Sequence, residues 1–196
     1  MARLPYFDLA QATPGIQELL KERPPLNIYR MVAHGAATGE GFLTLGTAIL
    51  RRSSLSPILR ELVILRVGVM CGSNYELTQH RRVAAQVGVP EAKVAAVLES
   101  PVHELPESVF DELELLVLTF TEAVVLKPKA PASLTDELAK RVPAQQVVEI
   151  MMVIGYYMLV CRLLETFEVD LEEADVLADV ERWPHAVTPL TNPASD

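Results

Sequence analysis

Arg60-Glu61-Leu62-Val63-Ile64-Leu65-Arg66-Val67-Gly68-Val69-Met70-Cys71-Gly72-Ser73-Asn74-Tyr75-Glu76-Leu77-Thr78-Gln79-His80 is the stretch on which the reading of this chain turns. Its first half is apolar apart from Arg60, Glu61 and Arg66, and its β-branched residues fit a buried helix or, as the alternative, a buried strand. The flanks favour helix: Ser56-Pro57 sets an N-cap before a proline at the first helical position, and Cys71-Gly72 is a stop. A helix is expected from there to about Met70, then a tight turn. A second helix follows, capped by Ser73 or Asn74 and ending at Gly88-Val89-Pro90.

On that second helix Glu76 and His80 are four residues apart and share one face. A carboxylate beside an imidazole orients the ring, and histidine is the side chain whose ordinary pKa lies nearest neutrality, so the pair can move protons. Glu61 sits in the middle of the first, apolar helix, and a hairpin of the two would bring it near His80. The plainer alternatives are an exposed i, i+4 pair for Glu76 and His80, and a salt bridge from Glu61 to Arg60, Arg66 or Arg81.

Outward from this hairpin the chain reads as all-α. Short helices are expected over Ile16–Lys21 and Asn27–Ala33, and a longer one over Thr38–Leu50 with Phe42, Leu45, Ile49 and Leu50 as its buried stripe. Further helices are expected over Glu91–Leu98, Ser108–Val125, Ser133–Arg141 and Ala144–Phe167, with Lys127-Pro128-Lys129-Ala130-Pro131 as a linker. The most apolar run, Ile150–Leu164, is interrupted by Gly155 and Arg162 and falls short of the roughly 20 residues of a bilayer span, so it reads as a buried core helix. The prolines of Trp183–Asp196 suggest an irregular arm. The organisation expected is an N-terminal extension (1–24), one helical domain (25–180) and a C-terminal arm (181–196).

Composition narrows the function classes. The chain has 196 residues, half of them hydrophobic, and 26 acidic against 17 basic side chains for a formal charge of -9. That balance disfavours a nucleic-acid partner. The opening residues lack a signal-peptide pattern, no membrane association is expected, and two cysteines suit a reducing, cytoplasmic setting. No zinc-type cluster, phosphate-binding loop, dinucleotide fingerprint or Gly-x-Ser-x-Gly elbow occurs, and no cofactor is expected.

Arg60-Glu61-Leu62-Val63-Ile64-Leu65 and Tyr75-Glu76-Leu77-Thr78-Gln79-His80, with Asn27–His34 before them and Val148–Ile150, Tyr156-Tyr157 and Arg162 after, resemble the carboxymuconolactone decarboxylase and alkylhydroperoxidase D-like (AhpD-like) family over roughly residues 25–170. The resemblance implies an AhpD-like helical bundle that assembles as a trimer or hexamer. It also implies a cofactor-free lyase, a decarboxylase or a related hydrolase, acting on a small organic acid or lactone. Glu61, Glu76 and His80 would then be catalytic, with Tyr75, Tyr157, Arg162 and Cys71 contacting substrate, Arg162 as an anion holder. The peroxidase branch carries a Cys-x-x-Cys pair at the positions of Ser73 and Glu76, so peroxide chemistry in this chain would rest on Cys71. A third reading is an oligomeric small-molecule-binding protein without catalysis.

Overall fold

The structure is a computed structural model that describes residues 1–21, 23–173 and 176. The arm expected at 181–196 lies outside the described residues. Among them are nine α-helices, two short 3-10 turns and no strand: α1 (Pro14–Leu20), α2 (Asn27–Val32), α3 (Ala37–Arg52), α4 (Pro57–Cys71), α5 (Asn74–Gln86), α6 (Glu91–Glu99), α7 (Glu112–Leu126), α8 (Ala132–Arg141) and α9 (Ala144–Thr166). They fall into two compact units, one of residues 1–53 with 164–196 and one of residues 54–163.

In the first unit, Thr13 caps α1 by accepting the Ile16 N–H, and Pro14 opens the helix two residues before the expected start at Ile16. In α3 the buried residues are Gly39, Leu43, Gly46 and Ile49. Leu45, expected inside, is 38% exposed. The side of α3 that packs closest is thus the one with small residues: a Cβ on Gly39 would stand 2.5 Å from the Val32 carbonyl oxygen. Glycines alongside the buried Leu43 and Ile49 set how closely that face packs.

In the second unit α4 is the central helix, packed by α5, α6 and α7. Ser56 Oγ accepts the Leu59 N–H at 3.1 Å and Pro57 occupies the first turn. Every residue from Leu59 to Gly68 is buried. A helix covered on all sides reads as a continuous apolar run, which is why composition left a strand open. Leu62 and Leu65 join Ala84, Val89, Val94, Val97, Phe110 and Leu118 in one core cluster, each fully buried leucine worth about 1.5–3 kcal/mol.

Gly72 ends α4 in the left-handed region (φ +67), and its N–H and that of Ser73 return to Val69 and Gly68 carbonyls at 3.1 and 3.0 Å. Ser73 then takes the N-cap position of α5 without a side-chain capping bond. Near the turn, Gly68 lets α5 come close, since a Cβ there would lie 2.9 Å from Leu77 Cδ2.

Two expectations shift in this unit. Helix α7 begins at Glu112 instead of Ser108, because Asp111 and Glu114 form a reciprocal capping box there. Helix α9 has 23 residues and is, by length and composition, apolar enough to cross a membrane. Its bounds match the expected Ala144–Phe167 to within one residue, but it is not buried all round as a core helix would be. Ile150, Val153, Ile154, Tyr157 and Cys161 are covered, while Val148, Met151, Met152 and Leu159 are exposed.

Candidate active site

The α4–α5 hairpin brings Glu61 and His80 together, 19 positions apart in sequence. Glu61 Oε2 stands 2.6 Å from His80 Nδ1, and Glu76 Oε1 stands 3.1 Å from His80 Nε2 on the other side of the ring. The second Glu61 oxygen accepts from Arg60 Nε at 3.1 Å. Tyr157 of α9 closes the group, its ring edge-on to the imidazole at 5.0 Å between centroids and 87° between planes. Tyr156 packs edge-on to Tyr157 at 5.3 Å. All five polar members are buried: Glu61 0%, Arg60 2%, Tyr157 3%, Glu76 5% and His80 7% exposed.

This geometry fixes a protonation state. Two carboxylates facing the two ring nitrogens require two N–H donors, and only the imidazolium has both. Burial alone would lower the His80 pKa, but the charges of Glu61 and Glu76, and their hydrogen bonds, outweigh it and push the pKa up to about 10. Tyr157 is pushed well above its ordinary value, first by burial and then by the same two carboxylates, so its phenol stays a proton donor. The resting site therefore holds an acid, an imidazolium clamped between carboxylates, at neutral pH.

Of the other residues picked out in the sequence, Tyr75 is buried on α5. Arg162 is not brought to the cluster. It lies on the exposed side of α9, where its guanidinium donates to the Met158 carbonyl at 3.1 Å, one turn back on its own helix. Cys71 is half-buried at the end of α4 and hydrogen-bonds to the buried Cys161 thiol. That bond, then burial, then the Glu76 charge hold the Cys161 thiol far above its ordinary pKa, with the Ser73 hydroxyl acting against them. Both cysteines are free thiols. Among the described residues no three His, Cys, Asp or Glu side chains are grouped to hold a metal ion.

Sequence reasoning missed two arrangements. Arg60 was considered only as a salt-bridge partner of Glu61, yet its guanidinium belongs to the cluster, close enough to Tyr157 for its charge to be felt there. Arg66 makes a separate buried pair with Glu122, Nε to Oε1 at 2.9 Å, and its other nitrogens donate to the carbonyls of Val97, Ser100 and Pro101 at 2.9–3.0 Å. Glu122 Oε2 in turn accepts the His103 backbone N–H at 2.9 Å. The signal for both was a guanidinium inside an apolar run, which has to find partners. The partners themselves are remote in sequence.

Comparison with known proteins agrees with this picture. Residues 36–102 match the sequence profile of the carboxymuconolactone decarboxylase family. No curated protein matches the chain. Among solved structures, the debrominase Bmp8, as a cysteine-to-alanine variant in complex with 2,3,4-tribromopyrrole, superposes with a TM-score of 0.69 at 19% identity over 93% of this chain and 96% of its own. Bmp8 in its apo form gives 0.65 over the same shares. A protein of unknown function from Agrobacterium tumefaciens, named for the antioxidant defence protein AhpD, gives 0.60 at 20% identity over 69% of this chain and 91% of its own. At such identities the likeness establishes the fold. The stretch 36–102, with Arg60, Glu61, Glu76 and His80 inside it, is thus similar in sequence to the carboxymuconolactone decarboxylase family, and the chain around it has an AhpD-like all-helical fold.

Proposed function

We propose that this protein is a cofactor-free lyase that decarboxylates a small organic acid or lactone, with His80 as the proton donor. The observation that carries this reading is the imidazole ring held between the carboxylates of Glu61 and Glu76 at 2.6 and 3.1 Å, an arrangement that favours the protonated ring. Chemistry that starts with proton abstraction would need a neutral imidazole. Decarboxylation does not: the C–C bond to the carboxylate breaks, CO2 leaves, and the electron pair moves onto an adjacent unsaturated carbonyl as an enolate. His80 then delivers its proton to the carbon and is reprotonated from water, while Glu61 and Glu76 keep the ring oriented and charged. The Tyr157 phenol is a second donor for the developing oxyanion.

The test is a screen of β-keto acids and carboxylated butenolides for CO2 release, run in deuterated water. A product with one deuterium at the carbon that had borne the carboxylate, and at least a 100-fold loss of kcat in His80→Gln, is the expected result. Turnover that survives His80→Gln would overturn the assignment.

The contact between the Cys71 and Cys161 thiols favours a second reading. A hydroperoxide would oxidise Cys71 to a sulfenic acid and leave as the alcohol, after which Cys161 would displace water to form a disulfide, at the expense of two thiol hydrogens. This reading expects Cys71→Ser to abolish peroxide consumption and His80→Gln to leave part of it. For either chemistry we propose a homo-oligomer in the cytoplasm, with the exposed apolar face of α9 between subunits. Light scattering that returned the 21.6 kDa of one chain would refute the assembly.

A further inference from the structure

We infer that Arg60, rather than Arg162, is the residue that docks the substrate, and that what it binds is a carboxylate. The inference rests on the acid-site reading above and names the ligand class of that same site. Arg60 is 2% exposed, and of its guanidinium nitrogens Nε is engaged by Glu61. Its Nη2 is buried and has no hydrogen-bond acceptor among the described residues. A charged N–H2 group withdrawn from water without an acceptor is costly, far more so than a neutral one, and folded proteins rarely leave such a group unpaired. In this reading a bound ligand supplies the acceptor.

The surroundings restrict what that is. Arg60 and His80 carry two positive charges against the two negative charges of Glu61 and Glu76, so the cluster is balanced and tolerates a single added anion better than a multiply charged one. Nearby, the Tyr157 phenol keeps its proton and can donate it. A guanidinium nitrogen and a phenol that belong to one buried group, close enough for the charge of the first to act on the second, offer two donors to a planar, two-oxygen anion, which is the shape of a carboxylate. Arg162 offers none of this, because it is exposed and bonded to its own helix. An acid bound at Arg60 presents its carbon skeleton next to His80, within the same buried group.

Benzoate and benzamide, which match in shape and differ in charge, are suitable probes, with inorganic phosphate as a third. Titrations of the full-length protein, followed through the Arg60 Nε–H resonance in an arginine-edited nitrogen-15 spectrum, are expected to show benzoate binding at least 10-fold tighter than benzamide or phosphate and shifting that resonance. Arg60→Lys and Arg60→Gln are expected to weaken benzoate by about 10- to 100-fold while changing benzamide little, the lysine less than the glutamine. A role for Arg60 confined to folding would lower both ligands together. Equal binding of benzoate and benzamide, tighter binding of phosphate, or an Arg60 resonance unmoved by saturating benzoate would overturn the inference. The wild-type measurement stands even if the variants do not fold. Loss of the benzoate preference with turnover still dependent on His80 would sink only the docking role, and the converse pattern only the acid role.

Discussion

Replacing Glu61 by Gln keeps the shape of the side chain and removes one of the two charges that hold His80 protonated. At 2.6 Å from Nδ1, that charge contributes ~6 kcal/mol of attraction at an effective dielectric constant of about 20, against ~5 kcal/mol for Glu76 at 3.1 Å. Burial takes back a large part of the sum, since the net effect is a rise from 6.5 to about 10, or about 5 kcal/mol. Removing the larger attraction while the ring stays buried leaves burial and Glu76 roughly matched. The imidazole of Glu61→Gln is therefore expected to titrate at or below the ordinary 6.5, so that it is neutral at pH 8. Carbon-13 or nitrogen-15 chemical shifts of His80 between pH 5 and 11 measure this directly in both proteins. A wild-type His80 that titrates near 6.5, or a variant that still titrates above about 8, would refute the argument that Glu61 sets the charge of the site.

Because the folded pKa of His80 lies above its unfolded value, its contribution to stability is fully present below about pH 6.5 and is lost as pH rises towards about 10; the stability difference between wild type and His80→Gln in urea should shrink across that window, and a flat difference would contradict it. Arg66→Met strands the Glu122 carboxylate and three carbonyls in the interior and is expected to cost about 3–5 kcal/mol by denaturant unfolding, where a loss under 1 kcal/mol would show the pair to be dispensable. Gly72→Ala meets no steric neighbour, yet must adopt φ +67, and should cost about 1–2 kcal/mol, with Gly72→Asn costing less. Equal losses for the two variants would speak against backbone strain as the cause.

Helix boundaries were legible where a cap or a breaker is written locally: Ser56-Pro57 and Gly72 bound α4 as expected. They were misplaced where the start is set by a reciprocal pair, as for the helix expected from Ser108, which the Asp111–Glu114 box starts at Glu112. The candidate site was half legible. The spacing of Glu76 and His80 puts them on one face in any helix, and Glu61 joins them once the turn at Gly72 folds the hairpin. Arg60 and Arg162 show what was not legible. Both are arginines in apolar helices, and only the packing of α4, buried on all sides, against α9, exposed on one, tells which guanidinium is withdrawn from water. Periodicity likewise named the stripe on α3 only in part: Ile49 is buried and Phe42 and Leu50 half-buried, while Leu45 is exposed and the closest approach is at Gly39.

The arrangement around Arg66 bears on how this unit comes apart. The segment after α6 has exposed residues such as Val102 and His103, and His103 sits at a positive φ of 68; by accessibility it looks like a loop that breathes. Its carbonyls at Ser100 and Pro101, and the His103 amide through Glu122, all hang on one guanidinium rooted in the central helix. Freeing the segment would strip the buried Arg66–Glu122 pair of two carbonyl acceptors and an amide donor, so its opening is tied to loosening of the core around α4. The His103 amide then exchanges with solvent only when the whole unit opens, and a protease finds no nick site in a loop that, on the surface, invites one.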